Sequence, residues 1–386
     1  MPKQTTKKSL NTDTISKRIT ELGLNQAEIA KKLSVSREIV SQWFKNIKFP
    51  RPRHLLHLAE MLDLAFDEIV IKEESQYEPI IAFRKKGRHK IDEEYEKSAK
   101  FKGEMLKKLV HFLDFETIFF PRHIENLKND YEYIQRLVYN IRNELHCNVN
   151  DSIDFTYLID FFKQQHAVII PVLWGKKDKH ENALHVFLPD SKTTWIYLNL
   201  DSNIIDFKFW MAHELGHIFT PDLRGDEAEE FADNFAGALL FPENLAKIEY
   251  EELSTLNNTG IIINHIKNLA EKYIVSPITI YMEIKKYAQN YNKHFIDLEK
   301  NNEIFQATAN FNKDYLTVSE LIFKTKNPSP HTYINKSTDA FDTPFFETLK
   351  QYIIENNSKS ALIQNILDLS YLDSRGIFEE LMDASN

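Results

Sequence analysis

The sequence of 386 residues has only one cysteine and no long apolar run. Cys147 alone cannot form an intramolecular disulfide, and such scarcity is typical of a protein in a reducing cytosol. We interpret Cys147 as a small buried residue and not as a nucleophile. No stretch approaches about 20 consecutive apolar residues, so we expect no membrane span. The basic N-terminus has no apolar run behind it and does not resemble a secretory signal, which again favours a cytoplasmic protein.

The charge is divided unevenly along the chain. The formal net charge is −9, yet residues 1–90 carry 18 Lys/Arg against 11 Asp/Glu (+7) and the remainder carries 30 against 46 (−16). A basic head on an acidic body is typical of a DNA-reading segment joined to a second function. The length predicts two or three domains, and the apolar share of 42% is that of an ordinary globular protein.

The head shows the pattern of a small helical bundle. Helices are predicted at Ile15–Leu22, Gln26–Leu33, Ser36–Lys45 and Pro52–Leu62, with turn signals between them. The run LNQAEIAKKLSVSREIVSQWFKN, from Leu24, resembles the helix-turn-helix of the phage-repressor-like XRE/Cro class. Ala30 supplies the small residue where its two helices cross.

In that motif the second helix lies in the major groove of double-stranded DNA. The residues expected to touch bases are Ser36, Arg37, Glu38, Ser41 and Gln42, and those expected to touch phosphates are Gln26 and Lys45. A bundle used for protein contacts, with charges that only solvate it, is the alternative. The basic surplus favours DNA. Because half-sites lie about one DNA turn apart, we expect a homodimer on a two-fold-symmetric operator.

The stretch Asp206–Thr220 carries the chemistry of the body. It contains His213-Glu214-Leu215-Gly216-His217, an H-E-x-x-H sequence. Residues four apart share one face of a helix, so both imidazoles can point at one metal ion, while Glu214 can act on water as general base. We expect Asp206 to cap this helix. An apolar stripe should bury it: Phe207, Trp210, Met211 and Leu215.

A second helix is predicted over residues 226–242. If the loop at residues 221–225 folds it back, Glu229 becomes the third ligand and a fourth position stays open for water, as in catalytic zinc sites. Asp233, one turn further, could accept the remaining N–H of a ligating histidine. The alternative is an acidic helix face in water, which we expect for Asp226, Glu227 and Glu230.

HELGH followed by Glu229, Ala232, Asp233, Phe235, Ala236, Leu239, Leu240 and Pro242 resembles the ImmA/IrrE family of metallo-endopeptidases. The resemblance covers roughly residues 83–287, and Phe219-Thr220 departs from it without affecting a ligand. It implies a zincin-like domain that binds Zn²⁺. It also implies a substrate that is itself a helix-turn-helix repressor of phage, mobile-element or stress genes.

The predicted fold is α+β and mainly α. A helix-turn-helix bundle (12–71) is followed by a linker and helical scaffold (72–148), a zincin-like ImmA/IrrE domain with a small antiparallel sheet (149–291), and a helical C-terminal region without an assigned role (292–386). Residues 1–11 are expected to be disordered, 71–80 to form an acidic linker and 325–339 to be irregular. The basic run at residues 82–90 is either a phosphate clamp or a solvated surface.

The sheet offers weaker candidates for the site. Ala183–Leu188 is predicted as an edge strand that could bind an extended substrate, and His185 on it could stabilise an oxyanion. A lone strand histidine is more often exposed, and His265, Tyr273 and Tyr281 are more often core or surface residues than catalytic groups.

Two functions are consistent with these observations. One is a zinc endopeptidase joined to a DNA-binding regulator. The other is a non-enzymatic transcriptional repressor or antitoxin whose peptidase-like domain serves as a binding scaffold. The presence of Glu214 favours the first, because a purely structural zinc site has no use for a base.

Overall fold

The computed structural model describes residues 6–45, 47–64, 66–74, 78–82, 93–113, 128–148, 150–175, 182–220 and 223–383. In these ranges the protein is mainly helical and has two small sheets, which confirms the predicted mainly helical α+β class. The basic run at residues 83–90 lies outside the described residues, as do residues 221–222 in the predicted loop between the metal-motif helices.

The N-terminal head has five helices and a two-stranded sheet: β1 (Thr6–Leu10), α1 (Thr12–Glu21), α2 (Gln26–Leu33), α3 (Arg37–Phe44), α4 (Pro52–Leu62), α5 (Phe66–Ile69) and β2 (Val70–Glu74). Asn25 and Glu28 form a capping box at the start of α2. Ser34 takes a left-handed backbone conformation (φ 56°), and the Ser36 hydroxyl accepts from the N–H of Ile39 to cap α3. Asn25 and Ser36 each satisfy N–H groups that a helix start leaves free, and Ser34 and Ser36 together define the turn between α2 and α3.

The head has its own hydrophobic core, which includes Ile15, Ile29, Val40, Trp43 and Leu58. Ala30 is buried in it, as expected for the small residue where α2 and α3 cross. The helix-turn-helix is therefore held by a continuous set of apolar contacts within the head.

Two stretches predicted to be irregular form strands, and those predictions are wrong. β1 lies within the supposedly disordered residues 1–11, and all of β2 except Val70 lies within the supposed linker at 71–80. The two strands pair antiparallel, with Leu10 opposite Val70. Both side chains are buried in the core of the head. This pairing joins residues about 60 positions apart, so the local sequence of either stretch does not predict it.

A mixed four-stranded sheet precedes the metal-motif helix in the body. Its strands are β3 (Ile80–Ala82), β4 (Ala167–Val172), β5 (Ala183–Leu188) and β6 (Thr193–Asn199), in the spatial order β3-β5-β6-β4. β5 and β6 form an antiparallel pair, but β4 and β6 are parallel, with Ile169 opposite Ile196. The predicted antiparallel sheet is wrong in this respect. Two reversals of direction, at each end of β5, bring β6 back parallel to β4.

The position of β5 overturns a second prediction. Ala183–Leu188 was expected at the edge of the sheet, but β3 pairs with it on one side and β6 on the other. Within the described residues the edges belong to β3 and β4. β3 reaches β5 from the segment that follows the head, so its pairing could not be inferred from the periodicity of β5 itself.

The remaining elements of the body are helical: α6 (Glu93–Lys107), a 3₁₀ turn (Val110–Phe112), α7 (Tyr131–Glu144), α8 (Phe155–Gln164), α9 (Ile204–Phe219), α10 (Gly225–Leu240), α11 (Glu243–Leu253), α12 (Thr259–Tyr273), α13 (Pro277–Asn290), α14 (Glu303–Asn312), α15 (Val318–Phe323), α16 (Pro330–Phe341), α17 (Phe345–Asn356), α18 (Ser360–Leu367) and α19 (Tyr371–Asp383). None of the helices described here is long and apolar enough to cross a membrane. Cys147 is buried, as expected.

The C-terminal helices share one hydrophobic core with the sheet and the metal-motif helix. α16 occupies most of the stretch 325–339 that was predicted to be irregular. The Ser329 hydroxyl caps it, Pro330 opens it, and Tyr333 and Phe341 are buried. The prediction failed because Ser and Pro, which are frequent in loops, here serve as helix-start residues.

The C-terminal region also fixes the start of α9. The amide of Asn203 donates to the carbonyls of Asn312 (2.7 Å) and Tyr315 (2.9 Å), and the Asn312 amide donates to both carboxylate oxygens of Asp206. The N–H of Ser319 donates to the Leu200 carbonyl. Residues 312–319 therefore hold the connection between β6 and α9, which leads into the metal motif.

Candidate metal centre and nucleic-acid interface

Helix α9 carries the H-E-x-x-H sequence and is buried on nearly every side. It begins one turn before the expected position, since the side chain of Asn203, and not that of Asp206, caps it by accepting from the N–H of Ile205 (2.9 Å). Of the predicted apolar stripe, Phe207, Met211 and Leu215 are buried, as expected. Trp210 is only half-buried, and its ring contacts that of His213 edge-on at 5.7 Å.

Helix α10 packs very closely against α9 at Gly216. A Cβ atom at this position would stand 2.9 Å from Cα of Ala232. Ala228, Ala232 and Ala236 recur every four residues on α10 and are buried. Small residues on both helices let the backbones approach, and this approach brings Glu229 of α10 to the histidines of α9.

The structure brings three predicted ligands together. Nε2 of His213 and Nε2 of His217 lie 3.0 Å apart. Glu229 places one carboxylate oxygen 3.4 Å from Nε2 of His213 and the other 3.4 Å from Nε2 of His217. All three side chains are at least mostly buried, and they form a candidate group for holding a metal ion.

These separations fit a tetrahedral zinc site. Zinc binds imidazole nitrogen and carboxylate oxygen at about 2.0–2.2 Å, so two ligands at a tetrahedral angle lie about 3.3 Å apart. The three observed distances match that value within a few tenths of an ångström. One Glu229 oxygen, Oε2, is buried and has no hydrogen-bond partner among the described residues, which is expected of an atom that serves a metal.

Asp233 supports the first histidine from behind. Its Oδ1 lies 3.0 Å from Nδ1 of His213. A carboxylate at this place keeps the proton on Nδ1 and leaves Nε2 free to bind a metal, because a neutral imidazole has only one N–H. The predicted second contact of the site is therefore present in the geometry.

The two glutamates of the site have pKa values shifted in opposite directions from those of exposed carboxyl groups. Burial opposes ionisation of Glu229, but the imidazoles of His213 and His217 that face it outweigh this effect and lower the pKa of its carboxyl to about 2. Burial raises the pKa of Glu214 above its usual value, although the nearby imidazoles act in the opposite direction. Glu229 therefore stays a carboxylate suited to a cation, and Glu214 is shifted toward the range in which a carboxylate accepts a proton near neutral pH.

His185 is buried beside Glu214, so the expectation that it is exposed is wrong. Its Nδ1 lies 3.5 Å from Oε2 of Glu214, and its ring centroid is 5.6 Å from that of His217. β5 carries His185 on the face of the sheet that meets α9. Sequence reasoning could not place it, since the position depends on which strand packs against the metal helix.

A cavity of about 600 Å³ adjoins Glu229 and Asp233. Its apolar side includes Phe209, Trp210, Ile278 and Met282, and its polar side includes Asp206, Asp226, Glu230, Glu283 and Lys286. Of the three candidate ligands, Glu229 lines this cavity, whereas His213 and His217 do not. The residues of α13 reach this cavity only through tertiary packing.

The other residues considered as catalytic candidates lie elsewhere in the fold. Nε2 of His265 lies 2.7 Å from Glu249 and its Nδ1 lies 3.5 Å from Glu252, so each ring nitrogen faces a different carboxylate. The hydroxyl of Tyr281 donates to the Ile296 carbonyl within the core, and Tyr273 is buried, as expected for core residues.

Helix α3 presents the predicted DNA-contact residues on its solvent side. Val40 and Trp43 face the core of the head. The candidate residues on and around α3 are exposed or half-buried: Gln26, Ser36, Arg37, Glu38, Ser41, Gln42 and Lys45. Ser36 also caps the helix, and Lys45 follows its last residue. The exposed face is compatible with major-groove contact, and the individual contacts stay predictions.

The head is a capped helix-turn-helix, the arrangement of a DNA-binding domain. In the body, two helices bring two histidines and a glutamate together, the arrangement of a metallopeptidase-like domain. The chain therefore joins these two classes of domain. Residues 15–69 match the family model described as helix-turn-helix. Residues 167–285 match the model of peptidase family M78, described as the IrrE N-terminal-like domain. The fusion inferred from the sequence motifs is thereby confirmed. No curated protein matches the chain.

Proposed function

We propose that this protein is a zinc-dependent endopeptidase that also binds DNA and regulates transcription. The observation that carries the proposal is the convergence of His213, His217 and Glu229 at separations suited to zinc, with Glu214 buried beside them. The match to a metallopeptidase family supports the same assignment. We expect the protein to be cytoplasmic, since its proposed partners are DNA and a repressor.

The residues of the site have distinct proposed roles. His213, His217 and Glu229 hold the ion, and Asp233 keeps the His213 ring in the correct tautomer. A zinc ion in such an open site supplies Lewis acidity and makes water acidic enough to ionise near neutral pH. Glu214 accepts the proton of the attacking water and later passes it to the leaving amine. The cavity beside Glu229 would hold the substrate chain.

The proposed substrate is a repressor-type protein with its own helix-turn-helix. This part of the proposal rests on the family resemblance. The basic head supports a regulatory setting, because the same chain could bind an operator near the gene of the repressor that it cleaves. A non-enzymatic repressor with a peptidase-like scaffold is the alternative outcome of the experiments below.

Metal content and cleavage test the enzymatic part. The intact protein should contain close to one zinc per chain by elemental analysis, and it should cleave the repressor encoded beside it. Glu214→Gln should keep the zinc and the fold but lose about 10²–10⁴-fold in activity, because an amide cannot take the proton. His213→Ala, His217→Ala and Glu229→Ala should each lose zinc. Undiminished cleavage by Glu214→Gln would remove this residue from the mechanism, and zinc without any cleavage would favour the scaffold function.

DNA binding tests the regulatory part. The intact chain should bind a two-fold-symmetric operator as a homodimer, with an affinity that falls as salt rises. Gln42→Ala should weaken sequence preference, whereas Lys45→Ala should weaken binding to all DNA alike. Fluorescence anisotropy on operator and scrambled duplexes, with light scattering for the oligomeric state, measures both. A lack of DNA binding at low salt would make the head a protein-interaction module.

A further inference from the structure

His185 and Glu214 form a buried pair that the proposed roles leave unexplained. Their side chains are only 4% and 5% exposed. The backbone of His185 is fixed between two neighbouring strands, opposite Ala82 of β3 and Ile196 of β6. The imidazole therefore stands on one of the most constrained positions of the sheet and faces the proposed base.

The two facing atoms both lack a hydrogen-bond partner among the described residues. Neither Nδ1 of His185 nor Oε2 of Glu214 has a hydrogen-bond partner within the described part of the chain, and both atoms are buried. Buried polar atoms without partners are rare in folded proteins. Since the two atoms lie 3.5 Å apart, a movement of about 0.6 Å would bring them to ordinary hydrogen-bond length. Hydrogen bonds in catalytic sites are often long until the substrate is bound.

We propose that His185 is a positioning residue that donates its Nδ1–H to Oε2 of Glu214. This bond would fix the rotation of the carboxylate and leave the other oxygen, Oε1, to take the proton from water. The inference rests on the proposed peptidase function for its catalytic meaning, but the hydrogen bond itself does not depend on that function.

The tautomer of His185 tests the bond without any activity measurement. A neutral imidazole carries one N–H, so donation to Glu214 requires the proton on Nδ1. Long-range ¹H–¹⁵N spectra of the full chain with ¹⁵N-labelled histidine should show this tautomer, and the His185→Asn variant identifies the signal. A proton found on Nε2 alone would overturn the proposal, because Nδ1 would then present a lone pair to the carboxylate.

Three variants test what the bond does for catalysis. His185→Leu should lower kcat about 10- to 100-fold with little change in KM and with zinc retained. His185→Asn should restore much of this loss, because its amide nitrogen can stand where Nδ1 was. His185→Gln places its amide nearer the former Nε2 and should restore less.

The outcomes separate the two proposals. Equal losses in the Asn and Leu variants, no loss in the Leu variant, or loss of zinc from it would each overturn the positioning role. If the unmodified protein cleaves no candidate substrate, the proposed function fails instead, and the tautomer still decides whether His185 donates to Glu214.

Discussion

Substituting Gly216 with alanine tests the helix packing that brings Glu229 to the two histidines. The added Cβ would stand 2.9 Å from Cα and 3.2 Å from Cβ of Ala232. Contacts between carbon atoms are normally about 3.5–4.0 Å, so α9 and α10 must separate by about 0.6 Å or more. Cα of Ala232 belongs to the backbone and cannot rotate away. Metal–ligand distances tolerate only about 0.2 Å, so this separation should weaken the site.

The expected changes in stability and in zinc affinity decide which assay is informative. Overpacking costs about 1–3 kcal/mol, but alanine gains about 1 kcal/mol over glycine in a helix, so the net loss of stability should be small. Zinc affinity should fall at least about 10-fold, since Glu229 is drawn away from the imidazoles. Competition with a chromogenic chelator measures this affinity, and calorimetry measures stability.

A matched control separates packing from a general effect of alanine. In Gly260→Ala, on α12, the nearest atom to the new Cβ is Oδ1 of Asn258 at 3.2 Å, a side-chain atom that caps α12 and belongs to neither α9 nor α10. Zinc affinity should be unchanged in this variant. If Gly216→Ala binds zinc as tightly as the unmodified protein, the close crossing does not set the ligand geometry, and the argument is refuted.

Three further predictions concern the groups around the site. Asp233→Asn should weaken zinc binding about 10- to 100-fold, measured by the same competition, because the carboxylate that orients His213 is lost; unchanged affinity would contradict this role. Arg142→Met should destabilise the protein by about 2–4 kcal/mol in urea unfolding. The reason is that the buried guanidinium donates to the Leu239 carbonyl (2.7 Å) and to two loop carbonyls. A loss of stability below about 1 kcal/mol would contradict this stabilising role. Burial lowers the pKa of Lys208 to about 8, although Asp154 acts in the opposite direction. In the unfolded chain this amine stays protonated to about pH 10. Relative to Lys208→Met, the free energy of unfolding should therefore rise by up to about 3 kcal/mol between pH 8 and 10. If the two proteins show parallel profiles of stability against pH, the lowered pKa is refuted.

The sequence alone predicted the elements whose signals are local. The spacing of His213 and His217 places them on one helix face whatever surrounds the helix, because four residues make about one turn. The turn signals between the helices of the head are also local, and in the structure Asn25 and Ser36 cap two of these helices within three residues. Glu229 could be proposed as a ligand because a short loop after α9 favours an antiparallel return. The roles of these residues stay predictions until zinc and cleavage are measured.

Some errors came from local signals that had two meanings. Asp206 and Asn203 are both good helix caps. Asn203 caps the helix, while Asn312 of the C-terminal segment donates to the carboxylate of Asp206. Ser329 and Pro330 are frequent in loops and equally frequent at helix starts, so the sequence did not decide between an irregular stretch and α16. Tertiary contacts made the choice in both cases.

Only the tertiary structure decided how distant segments meet. The parallel pairing of β4 with β6, and the insertion of β3 beside β5, join stretches whose own periodicity permits several partners. The burial of His185 against Glu214 follows from the packing of one face of β5 on α9, because successive side chains of a strand lie on opposite faces of the sheet. The approach of α10 to Gly216 depends on small residues from two helices at once. Local propensity acts within a few residues, whereas these contacts depend on how the whole chain packs.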